Sequence, residues 1–159
     1  SLTNRPDLWG HYGIARELAA IYKLPLKPLD EFVVPEGLLE YEVEIDCTEK
    51  CYRYACLEIR NVSVKDSPLW MKTAIINGGM RPINAIVDIT NYIMLSVGQP
   101  THAFDRTHVT GEKIVVRNAK SDEKLELLDG ENIDLTPEDL VICDIEGPIA
   151  LAGIRSYRS

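Results

Sequence analysis

Clustered positive charge is what this sequence most lacks. Lys and Arg number 17 against 25 Asp and Glu, a net charge of −8. Nonspecific nucleic-acid binding rests on clustered Lys and Arg, so the balance argues against a broad phosphate-binding surface. It does not exclude contact with the end of one RNA strand, because few phosphate contacts suffice when other domains hold the rest. No apolar run approaches the length of a membrane-spanning helix. The opening residues, SLTNRPD, carry neither the basic region nor the apolar core of a signal peptide. There is no G-x-S-x-G, and no histidine pair at metal-ligand spacing on a helix. Gly78-Gly79 is too little for a phosphate loop. The parts of a strong covalent or metal-dependent hydrolase are therefore missing. No repeat and no low-complexity tract is present.

Cysteine is scarce and badly spaced for zinc. Cys47, Cys51 and Cys56 lie close together as C-x3-C-x4-C, with Cys143 far off and no histidine nearby. That spacing fits structural zinc patterns poorly, so no metal is expected. Cys56 falls in an alternating apolar run and is expected in the core. Reduced thiols and a cytoplasmic location are expected in the absence of an export signal.

What is present is ordinary for a globular protein: 159 residues, 45% hydrophobic and 26% charged. A single domain over residues 1–159 is the expectation. The strongest pattern is Arg81 to Asp105, RPINAIVDITNYIMLSVGQPTHAFD. Ile83, Val87, Thr90, Met94 and Val97 recur with steps of four and three, one face of a helix. Asn84, Asp88 and Asn91 form a polar stripe on another face. Gly98 stops the helix, and Pro100 turns the chain out of it. His102 follows on the exit loop. Chemistry alone leaves two readings open: a surface amide stripe with a satisfied loop histidine, or a site.

The rest reads in order. A helix is expected from about Asp7 to Tyr22, burying Leu8, Tyr12, Ala15, Ala19 and Tyr22. His11 lies in it as an ordinary helix residue. Lys23 to Gly37, with Pro25, Pro28 and Pro35, reads as an extended crossing. Tyr41, Val43 and Ile45 mark a strand, and Tyr52 to Val64 another, bent near Asn61. Ser67 caps a short helix Leu69–Asn77, with Pro68 in its first turn. After the central stretch come short strands: Ile114–Asn118, Leu125–Leu128, Asn132–Leu135, Leu140–Cys143 and Ile149–Ile154. Asp129-Gly130 is a hairpin signal. Helices and strands mix without regular alternation. The expected fold class is α+β, a mixed or mostly antiparallel sheet with several packed helices, in layers.

The central stretch resembles the signature of the bacterial-type phenylalanyl-tRNA synthetase β subunit, R-x-I-N-x-x-V-D-x-T-N-Y-x-M-x-x-x-G-Q-P-x-H-A-F-D. Further pieces resemble the same subunit in the same order: TNRPD, GIARELAA, CYRYA, SPLWM, KIVVRNA, LLDG, DLVICD and GPIALAGI. The likeness runs nearly to Ile154. It implies an editing module that hydrolyses tyrosine wrongly joined to the phenylalanine tRNA. A pocket shaped for phenylalanine rejects a ligand that adds only a hydroxyl by a factor on the order of 10². A second, hydrolytic site supplies the remainder, and orienting an activated ester beside a water is enough to cleave it.

Four residues match positions the family uses at that site. The resemblance implies that His102 orients water or ester, or acts as base. It implies that Arg81 binds the acceptor-end backbone of the substrate or holds the site together, that Asn91 hydrogen-bonds substrate or water, and that Pro100 shapes the loop at the substrate. His108 lies outside the motif. No cofactor is expected in this piece; ATP and magnesium belong to the parent enzyme. Its partners are expected to be the acceptor end of tRNA(Phe) and a catalytic α subunit, usually in a heterotetramer, with no membrane. The alternative is a noncatalytic structural or tRNA-docking domain of the same synthetase. The chain begins inside a motif and is expected to be a fragment, truncated or interrupted after residue 154. The family continues GPIALAGI with a glutamate-bearing strand associated with tyrosine recognition. Without it, this chain is expected to be a weak or unselective deacylase.

Overall fold

Residues 3–31, 33, 41–126 and 130–152 are described by a computed structural model. They form three α-helices, α1 (His11–Tyr22), α2 (Leu69–Asn77) and α3 (Ala85–Val97). Six strands accompany them: β1 (Glu42–Ile45), β2 (Lys113–Asn118), β3 (Lys124–Glu126), β4 (Asn132–Asp134), β5 (Leu140–Cys143) and β6 (Pro148–Leu151). The class is α+β, as expected. The chain divides into two compact units, residues 1–35 with 61–103, and residues 36–60 with 104–159.

The second unit is built on a mixed four-stranded sheet in the order β1-β2-β5-β6. β1 runs parallel to β2, with Val43 opposite Ile114 and Ile45 opposite Val116. β2 and β5 are antiparallel, as are β5 and β6. Strand side chains alternate between faces, and here both faces are covered. Ile114 and Val116 are buried on one side with Val109, joined by Val43, Ile45, Tyr54 and Ile142. Val141 and Cys143 are buried on the other with Ala119, Leu125 and Leu135. β3 and β4 form a separate antiparallel hairpin. Gly130 in its turn has φ +82°, which suits the expected Asp129-Gly130 signal, though Asp129 itself lies outside the described residues. The expected continuation of β3 to Leu128 also lies outside them; β6 ends at Leu151, short of the expected Ile154, with Ala152 already out of the strand and residues 153–154 outside the described residues.

The first unit is helical. α2 has the expected bounds and buries Met71 and Ile75. Trp70 meets Tyr92 of α3 edge-on, with ring centroids 5.4 Å apart. α3 starts at Ala85 because Asn84 caps it: the Asn84 amide oxygen accepts from the backbone N–H groups of Ile86 and Val87, both at 3.1 Å. It stops at Gly98, whose φ of +78° is left-handed.

Several expectations need correction. α1 begins at His11, not Asp7: Pro6–Leu8 form a separate 3₁₀ turn, and the chain breaks at Trp9-Gly10. Its buried stripe is thinner than expected, since Gly13 is buried while Ala15 and Tyr22 are exposed. Ser67 is not the cap of α2; Pro68 occupies that position without a side-chain hydrogen bond. Tyr52 to Val64 pairs with no strand among the described residues, and Cys56 within it is exposed rather than core. The bend at Asn61 is there, with φ +58°. In α3 the fully buried residue is not on the apolar face. It is Asp88, with 0% exposure, while Ile83 and Val97 are partly open to solvent.

Candidate functional site

The four residues singled out from the sequence all belong to the helical unit. Arg81 stands on the N-terminal approach to α3, Asn91 lies midway along it, and Pro100 and His102 follow its end. Thirteen residues make α3 about 20 Å long.

Arg81 is exposed. Arg5, Arg16, Arg60, Arg106 and Arg117 are all held by carboxylates. No hydrogen bond or ion pair joins the Arg81 guanidinium to another described residue. Asn91 is half-buried, and its amide likewise makes no side-chain hydrogen bond to a described residue.

His102 sits on the loop that Gly98 and Pro100 direct away from α3. It keeps solvent contact, yet enough protein surrounds the ring that desolvation pulls its pKa below the ordinary imidazole value. A neutral imidazole at physiological pH accepts a hydrogen bond or proton from water, as an orienting group or base must. His108 lies in the short turn Arg106–His108 of the other unit and is exposed. His11 is structural: it donates from Nδ1 to the Leu95 carbonyl at 2.7 Å, satisfying an open carbonyl near the end of α3.

The exit loop is anchored by a close approach of two glycines. A Cβ on Gly10 would lie 2.3 Å from the Gly98 nitrogen and 2.5 Å from the Val97 carbonyl carbon. Only a residue without a side chain lets the start of α1 reach the end of α3.

Sequence reasoning named Asp88 and Ser67 but missed the role they share in holding the approach to α3. Asp88 accepts from the backbone N–H of Ile83 at 2.8 Å with one carboxylate oxygen, and from the Ser67 hydroxyl with the other. The Lys65 carbonyl accepts from the Ala85 N–H at 2.8 Å. The polar stripe is therefore divided in role: Asn84 caps, Asp88 anchors, and Asn91 alone keeps its side chain unspent among the described residues. The signal for Asp88 was its residue type, since aspartate is a poor interior helix residue unless its carboxylate has work there. Among the described residues, no cluster of three or more His, Cys, Asp and Glu has the arrangement of a metal site.

Comparison with known proteins matches residues 50–158 to the B3/4 domain family. The chain is similar to the phenylalanine–tRNA ligase beta subunit of Solibacter usitatus, 46% identical over 155 residues, 97% of this chain and 20% of the relative. It is 47% identical over 152 residues to that of Carboxydothermus hydrogenoformans, 95% of this chain and 19% of the relative. The Thermotoga maritima subunit is 41% identical over 152 residues, with the same coverage of 95% and 19%. The chain thus spans about a fifth of the length of these relatives.

Proposed function

Because this chain belongs to the B3/4 domain family, we propose that it is the editing region of a cytoplasmic phenylalanine–tRNA ligase beta subunit. Its reaction is hydrolysis of the ester in tyrosyl-tRNA(Phe). The observation that carries the reading is His102: a solvent-accessible loop histidine whose pKa desolvation lowers, within the stretch that resembles the family's editing signature. Arg81, with no carboxylate partner among the described residues, supports it as a contact for the acceptor-end backbone. Asn91 serves substrate or water from the middle of α3, and Pro100 shapes the loop that carries His102.

The mechanism needs little covalent chemistry. The aminoacyl ester is already activated. Holding a water against its carbonyl removes most of the entropic barrier. His102 accepts a hydrogen bond from that water and so aims its lone pair at the carbonyl carbon. ATP and magnesium belong to phenylalanine activation on the partner α subunit, and no residue here is assigned to them. The tRNA is held mainly by the rest of the enzyme, which suits the acidic balance of this piece.

The test is His102→Ala in the whole enzyme. Tyrosyl-tRNA(Phe) hydrolysis should fall by roughly 10²-fold or more, while phenylalanine activation stays near the parent rate. Equal loss of both activities in a folded variant, or loss of neither, overturns the reading and leaves a docking or structural role.

A further inference from the structure

The geometry points to Asp88 as a positioning residue for Arg81: held between Ser67 and Ile83, it sets the guanidinium's place on the approach to α3. This rests on the editing reading above and adds a residue that never touches substrate.

Three segments converge on the Asp88 carboxylate. One oxygen takes the Ser67 hydroxyl, just ahead of α2. The other takes the Ile83 backbone N–H at 2.8 Å. The residue itself is on α3, fully buried. A carboxylate is acceptor-only, with room for donors on both oxygens, and both are used here. Between Arg81 and Ile83 stands Pro82, which fixes its own φ and has no N–H to give. The Ile83 N–H is thus the first backbone donor after Arg81, and Asp88 holds it. On the helical side the same segment is fixed by the Asn84 cap and by the bond from Ala85 to Lys65. Arg81 gains no such hold of its own, having no partner among the described residues. Its mean position is therefore inherited from the backbone two residues on. Releasing Ile83 leaves Arg81 present and charged but poorly aimed, and misplacement of about 1 Å can cost 10²-fold.

The experiment is a double-mutant cycle in the whole enzyme, with tyrosyl-tRNA(Phe) hydrolysis as readout. Phenylalanine activation and thermal melting serve as checks on folding. Asp88→Ala should lower kcat/KM for hydrolysis by about 10- to 100-fold, mainly through KM, because the lost contact is one of binding. Asp88→Asn keeps an acceptor for the Ile83 N–H and a partner for Ser67, and should restore most of the loss. The combined Arg81→Ala, Asp88→Ala enzyme should be no worse than Arg81→Ala alone, within about twofold, because both changes remove the same contact.

Additive losses in the cycle overturn the inference and make Asp88 a structural residue only. If Asp88→Ala fails to fold, Ser67→Ala replaces it in the cycle; its effect should be smaller and equally non-additive, and additivity there overturns the inference too. If Arg81→Ala alone is silent, the inference falls with the assignment of Arg81. His102→Ala then shows separately whether the editing reading stands.

Discussion

His102 remains open to solvent, yet partial desolvation lowers its pKa from the ordinary imidazole value. The sign of the pH effect follows. If neutral His102 orients the water, hydrolysis should be flat through neutral pH and fall in acid, with the inflection below the ordinary imidazole value. Rates measured from roughly pH 5 to 8 in the parent enzyme and in His102→Ala should show that acid limb only with the histidine present. Stability follows the same direction. The unfolded ring binds its proton at higher pH than the folded one, so the contribution is complete above the unfolded value and is lost as pH falls. Sequence reasoning reached His102, Arg81, Asn91 and Pro100 through a motif, not through geometry. Asp88 was visible in the same motif, but only as part of a polar stripe whose role stayed open. Periodicity shows which face a residue is on, but not whether a serine from another segment will come to meet it.

Among the elements, α2, α3 and the strands after residue 113 were legible because each carries its own stop signals: Pro68, Gly78, Asn84, Gly98 and the Gly130 turn. Residues 52–64 were not. Leu57, Ile59, Val62 and Val64 are apolar and extended, yet each is more than half exposed. A strand needs a neighbour as well as a pattern, and the neighbour is not written in the strand. Two predictions belong at this scale. Gly10→Ala should force α1 off the end of α3, costing about 1–3 kcal/mol as an overpacked contact does. Thermal melting reads the loss, and hydrolysis should drop with it, because Gly98 leads into the loop of His102. In the sheet unit, Arg117 of β2 grips Glu123 with two hydrogen bonds, at 2.7 and 2.8 Å, and both side chains are mostly buried. The hydrogen bond from Arg117 is the largest cause that lowers the Glu123 carboxyl to about 2. Its contribution is complete above the unfolded carboxyl value and is lost as pH falls toward the folded one. Arg117→Met should cost about 1–3 kcal/mol at neutral pH. Denaturant unfolding should show the gap closing as the solution is acidified; a gap independent of pH would sink the account.

At the scale of the whole molecule, the net charge of −8 limits how the chain can hold RNA. Arg81 is expected to meet about one phosphate. In the parent enzyme, Arg81→Ala should therefore reduce the salt slope of tRNA binding by about 0.7–1, one counterion's worth. Binding titrations across a salt series check this. An unchanged slope would move Arg81 away from the phosphate backbone.

The two compact units also constrain how the chain can be made and cut. Their boundaries at residues 35, 60 and 103 mean that the polypeptide passes between them three times. Neither unit can be isolated by trimming an end. β1 must wait for its parallel partner β2, whose first paired residue, Lys113, lies far along the chain from Glu42. During synthesis the first strand of the sheet therefore leaves the ribosome well before any neighbour exists, while the residues of α2 and α3 emerge in the interval. Closing so long a loop delays the pairing. The helical unit thus has the opportunity to assemble first, and β1 joins the edge of the sheet late. A nick near residue 60 should be far more damaging to refolding than to the protein already folded.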